Sequence, residues 1–146
     1  MTCPNSEIRL FLRLEPDIPK LTHQNGIKTR VVNGHAQVYK SPELLDLEAK
    51  YLSLLSPHAP QKPWNCPIHL ATVWYFRMPQ KCGFVDAVAW KTTKPDTDNL
   101  VKTLKDCLAR AGFFKDDALV CLESIAKMWA TPLQPHGVEI CMRKLS

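Results

Sequence analysis

Apolar and charged residues alternate over residues 7–14: Ile8, Leu10, Leu12 and Leu14 fall on one side, Glu7, Arg9 and Arg13 on the other. Successive strand residues point to opposite faces, so this is the pattern of a strand with one face buried. A second β-prone stretch, residues 31–39, is interrupted by Asn33-Gly34. Those two residues accept the positive φ angles of a two-residue hairpin turn, which predicts two short strands joined tightly. Ser41-Pro42-Glu43 then supplies a capping hydroxyl, a ring that presets the first helical φ and an acid in the first turn. A helix to about Leu55 is expected, with Leu45, Ala49 and Leu52 on its apolar face.

Four prolines in residues 56–67 point to a loop. Residues 68–76 are apolar at both alternating sets of positions, Leu70, Trp74 and Phe76 against Ala71, Val73 and Tyr75, as in a central strand covered on both sides. Residues 78–93 show no periodicity and form a long loop whose Phe84 and Trp90 either anchor on the core, the preferred use, or stack against DNA. Leu100, Leu104, Cys107, Leu108 and Ala111 recur at helical spacing before a terminating Gly112. Residues 119–128 and 138–142 read as strands around a turn at 132–135. The order predicts a single α+β domain with a mixed β-sheet of about five to six strands and two main helices.

Composition agrees with one folded unit: 146 residues, 45% hydrophobic and 23% charged, suffice for a core and exclude disorder. Cys3, Cys66, Cys82, Cys107, Cys121 and Cys141 form no CxxC pair, and Cys66 with His69 lacks the second pair that zinc needs. Reduced, mostly buried thiols are expected. No charged leader with an apolar core opens the sequence, and no apolar run approaches the ~20 residues that cross a bilayer. A cytoplasmic protein without membrane contact follows. The net charge of +5 is modest, but residues 18–40 carry Lys20, Lys28, Arg30 and Lys40 with no acid. Such an arm can hold phosphates, although on charge alone a solvated hairpin is the preferred explanation.

The chemistry concentrates in Lys94-Pro95-Asp96-Thr97-Asp98-Asn99-Leu100-Val101-Lys102 and, one helix later, Gly112-Phe113-Phe114-Lys115-Asp116-Asp117. Residues two apart diverge on a helix but share a side of an extended segment. Asp96 and Asp98 therefore face one point only if Asp96 lies before the helix. Pro95 provides for this, fixing its own φ and holding Lys94 extended, so that the helix begins near Thr97 or Asp98. Lys102 and Asp106 follow Asp98 at intervals of four on one stripe. The link to Asp116 and Asp117 is short enough to return the chain beside the helix, where one of the pair completes the site. Taken singly, an acid before a helix is usually a cap and an Asp-Asp pair usually a turn. One helix needs one cap, however, and here acids stand at its entrance and past its exit.

Lys-Pro-Asp-x-Asp-Asn-Leu-x-Lys, then a helix, a glycine and Asp-Asp before a strand, resembles the RusA-type Holliday junction resolvases of bacteria and their phages. The close resemblance covers residues 93–127; Tyr39, Ser41-Pro42, Phe76-Arg77-Met78-Pro79 and the closing strand extend it loosely. It implies a RusA-like fold and an endonuclease, dependent on magnesium or on manganese in its place, that binds branched DNA as a homodimer and nicks two strands symmetrically. By position, Asp96, Asp98 and Asp117 would be metal ligands, Asp116 a secondary candidate and Lys102 a catalytic lysine. Lys28, Arg30, Lys91 and Lys94 are the candidate DNA-contacting cations. A branched-DNA-binding protein without cleavage would need a damaged site, and a hydrolase of small phosphate compounds would lack the basic surface.

Overall fold

A computed structural model describes residues 6–19, 21, 23–79, 89–131 and 134–146. The alternating segment is strand β1 (Glu7–Arg13), with Leu12 and Leu14 fully inside. A short helix α1 (His23–Gly26) leads into the hairpin β2 (Ile27–Val32) and β3 (His35–Lys40). Its turn residues Asn33 and Gly34 have φ of 52° and 79°, the pair of positive angles that Asn-Gly tolerates. Helix α2 (Pro42–Leu55) begins where Ser41 accepts a hydrogen bond from the Leu44 amide. Then come β4 (Ile68–Arg77), a two-residue β5 (Ala89–Trp90), α3 (Thr97–Arg110), β6 (Val120–Ala130) and β7 (Gly137–Lys144).

Five strands form one sheet in the order β1-β7-β4-β6-β5, and the hairpin β2-β3 is a sheet of its own. β4 pairs parallel with β6 and antiparallel with β7. One face of β4, from Ile68 through Leu70, Thr72 and Trp74 to Phe76, is buried and continues into Val138, Ile140 and Met142 of β7. Both long helices pack there, Leu47, Tyr51 and Leu55 from α2 with Leu100, Leu104 and Leu108 from α3. The expectation of a strand covered on both sides is corrected: Ala71, Val73 and Tyr75 on the other face are only half-buried. The expectation for Trp90 is corrected too, since this edge residue is 68% exposed and anchors no core; Phe84 lies outside the described residues.

The buried stripe of α2 is Leu44, Leu47, Glu48, Tyr51 and Leu55, one position away from the expected Leu45, Ala49 and Leu52. Leu45 is 51% exposed. The displacement has a cause: Glu48, 3% exposed, is paired with Lys40 at 2.7 Å and Arg110 at 3.1 Å. A buried carboxylate is tolerable only with such partners, and here they join the hairpin, α2 and α3. Burial, reinforced by the Glu48 charge, pushes the neighbouring Cys107 thiol up to about 11. Cys66, Cys107, Cys121 and Cys141 are all free, but Cys107 alone of these is buried, and Cys121 is exposed. No helix among the described residues is long and apolar enough to cross a membrane.

Gly137 opens β7 at φ 150°, where a Cβ would stand 2.2 Å from the Leu12 carbonyl oxygen of β1. Neither backbone can retreat without breaking the β1-β7 ladder. Gly137→Ala is therefore expected to destabilise the fold by more than about 2 kcal/mol, read as a lower urea midpoint at unchanged slope.

Candidate active site

The loop from Lys91 to Asp96 is fixed by two lysines before the helix starts. Lys91, 8% exposed, has its ammonium 5.1 Å from the Phe76 ring centroid and 4.5 Å from that of Trp129. It donates to the Lys94 carbonyl at 2.7 Å and to the hydroxyl and carbonyl of Thr93. Lys127, reaching over from β6, donates to the carbonyls of Thr93 and Pro95, each at 2.8 Å. Asp96 then stands at the cap position with extended backbone, φ −73° and ψ 149°, and its carbonyl accepts from the Leu100 amide at 3.1 Å. The helix thus begins at Thr97, as the proline-based reading expected.

The Asp96 carboxylate does not cap its own helix. Both of its oxygens accept instead from the Lys94 ammonium, at 2.8 Å each. That hydrogen bond and charge, with a smaller contribution from Lys127, hold its carboxyl below the ordinary carboxylate range. Of the expected DNA-contacting pair, Lys91 faces the interior, while Lys94 holds a carboxylate with its own side chain still exposed. Lys28 and Arg30 remain on an exposed hairpin, with the Arg30 guanidinium 4.9 Å from the Tyr39 ring centroid.

Asp98 lies in the first turn of α3 and is exposed, as is Lys102 one turn on. Asp106 continues that stripe. Asp116 and Asp117 do come back beside the helix, but beside its second half. Asp117 opens a 3-10 turn immediately before β6, and Asp116 caps that turn, accepting from the Ala118 amide at 2.8 Å. Partial burial, a hydrogen bond with Asp116 and the charges of Asp106 and Asp116 raise the Asp117 carboxyl above its ordinary range, with Lys105 opposing. Lys105 itself pairs with Glu123 of β6 at 3.1 Å. The eight residues from Asp98 to Asp106 amount to about 12 Å of helical rise. Asp117 is therefore brought to Asp106, not to Asp96 and Asp98, and among the described residues no three acids, histidines or cysteines gather as one metal-binding group.

The donors still suit a hard divalent cation. They are carboxylate oxygens at exposed positions, and the negative charge of Asp106 and Asp116 that adds to burial in raising Asp117 is of a kind that a cation relieves. Sequence reasoning missed the cleft at the start of α3. It has a volume of about 670 Å³ and is lined by Asp17, Asn25, Arg77, Lys94, Asp96 and Asn99 among others. Asp17 holds its floor, one oxygen accepting from the amides of Ile18 and Arg77 at 2.8 Å each. Asn99 donates to Gln24 of α1 at 3.1 Å. The asparagine following the second motif aspartate was the available signal.

A family model described as Endodeoxyribonuclease RusA matches residues 17–143. The chain is also 30% identical over 110 residues to a protein of Lactococcus phage r1t named Crossover junction endodeoxyribonuclease rusA, covering 73% of this chain and 79% of the phage protein. The family match includes every acid and lysine of the motif region.

Lys94→Ala removes the hydrogen-bonding partner of Asp96, so the Asp96 carboxyl should rise back toward the usual range. Carboxyl-detected NMR titration reads the shift. Melting should stay within about 2 °C of the parent, because exposed ion pairs contribute little.

Proposed function

The chain belongs to the RusA family of endodeoxyribonucleases, and on that premise we propose that it resolves four-way DNA junctions by paired symmetric nicks, in DNA recombination and repair. It acts as a homodimer on branched DNA with a divalent cation, magnesium or manganese in its place, in the cytoplasm of a bacterial or phage-infected cell. The observation carrying this reading is the series of side chains along the outer side of α3: Asp96 and Asp98 at one end, Lys102 between, Asp106 and Asp117 toward the other.

Asp96, Asp98 and Asp117 would hold the ion, while Asp116 is engaged with its own turn. Such an ion, when bound, supplies an acidified water as nucleophile and neutralises charge on the leaving oxygen. Lys102 extends its ammonium into solvent rather than into the core, and serves to neutralise charge gathering on the scissile phosphate. The hairpin cations Lys28 and Arg30 contact flanking phosphates.

Within one chain the two carboxylate groups are most of a helix apart, so the reading assigns their meeting to two chains. A two-fold axis that brings Asp96 and Asp98 of one copy to Asp117 of the other does so twice. Two equivalent sites then give two equivalent incisions, as resolution of a four-way junction into duplexes requires.

Complementation tests this directly. Asp98→Asn and Asp117→Asn homodimers should each be inactive on a labelled four-way junction. Mixed and allowed to exchange subunits, they should regain single-strand nicking, because one of the two shared sites is then intact. Sites contained within one chain would leave the mixture as inactive as its parents.

Junction affinity should fall with salt as phosphate contacts release counterions. Lys28→Ala with Arg30→Ala should make the slope of log K against log salt shallower by about 2, measured by fluorescence anisotropy. An unchanged slope would move the phosphate contacts to another surface.

A further inference from the structure

Lys127 is far from the motif in sequence, yet its ammonium ends on the loop that delivers the motif. It stands on the helix-facing side of β6, opposite Trp74 in the parallel register and in line with Ile125 and Trp129. From there it bridges the carbonyls of Thr93 and Pro95, 2.8 Å to each. The second of these carbonyls belongs to the residue immediately before Asp96. The Thr93 carbonyl also receives Lys91, so this short loop is gripped from the sheet by two cations.

Asp96 needs such a grip. Its carboxylate makes no capping bond that would tie it to α3, and its side-chain partner Lys94 is an exposed residue of the same loop. The direction in which Asp96 is presented is therefore set by the backbone of residues 93–95, and that backbone is set by the ammonium groups of Lys91, just past the end of β5, and of Lys127 in β6. An ammonium carries three donors and no acceptor, so it is suited to drawing two carbonyls toward one point.

We infer that Lys127 is a positioning residue for the metal site: by bridging the Thr93 and Pro95 carbonyls it fixes the loop from which Asp96 is presented to the cation. The inference rests on the metal-site reading above. It differs from a DNA-contacting or purely structural role for Lys127 in what it demands of metal affinity without DNA.

The experiment titrates Mn²⁺ alone into the full-length protein by calorimetry, for the parent, Lys127→Met, Lys127→Arg and Asp98→Asn, well below each melting temperature. Groups that orient metal ligands typically change affinity by about tenfold or more when removed. Lys127→Met should lose Mn²⁺ affinity by about that factor, and its junction cleavage should recover most of its rate when Mn²⁺ is raised to saturation. Lys127→Arg, whose guanidinium still donates to both carbonyls, should bind Mn²⁺ close to the parent. A Lys127→Met protein that melts earlier but binds Mn²⁺ like the parent would make the lysine structural and overturn the inference. Asp98→Asn separates the two readings. If it loses Mn²⁺ while Lys127→Met retains it, only the role of Lys127 fails; if it retains Mn²⁺, the metal site itself is misassigned.

Discussion

The parallel pairing of β4 with β6 governs the rest of the molecule. Antiparallel neighbours can be joined by a tight turn, but two parallel strands need a connection that travels the whole length of the sheet. Here that connection runs out through β5 and returns as α3 over the buried face, as the Lys127 bonds at its start and the Lys105–Glu123 pair further along record. Burial of Leu100, Val101, Leu104 and Leu108 holds the helix down, at roughly 1.5 to 3 kcal/mol for each fully buried aliphatic side chain. The motif is thus stretched along a rigid rod. Its first acids sit by the C-terminal ends of β4 and β6, and its last by their beginnings.

A second constraint is the Glu48 carboxylate. It is the meeting point of Lys40 from the hairpin and Arg110 from the end of α3, so the orientation of the basic arm and the seating of the helix are linked through one buried group. Removing either cation leaves charge under-compensated inside the protein, which is worse than replacing the whole cluster by apolar residues. The hairpin itself has little apolar burial on either face; its tight turn and this anchor define it.

Local chemistry was legible and long-range placement was not. Alternation in β1, Asn33-Gly34, the Ser41-Pro42 helix start and the apolar spacing of α3 each encode a structure within a few residues, and each was read correctly. The face of α2 was misread because its stripe includes Glu48, which hydrophobicity alone assigns to solvent. Lys91 resembled a surface cation until Phe76 and Trp129, from two other strands, enclosed it. The approach of Asp96 to the helix followed from Pro95. Where Asp117 lies depended on the direction in which β6 pairs, a property of the sheet that no local window contains.

The length of α3 also has a consequence for dosage. Fourteen helical residues keep the two halves of the acidic motif from closing on themselves. If the ion is shared between copies as proposed, assembly of a cutting centre is second order in protein. A scarce chain would then be harmless to the chromosome it diffuses along, and a modest rise in expression would bring a disproportionate rise in nicking. Threshold behaviour would need no inhibitor, only a helix too long to fold back on.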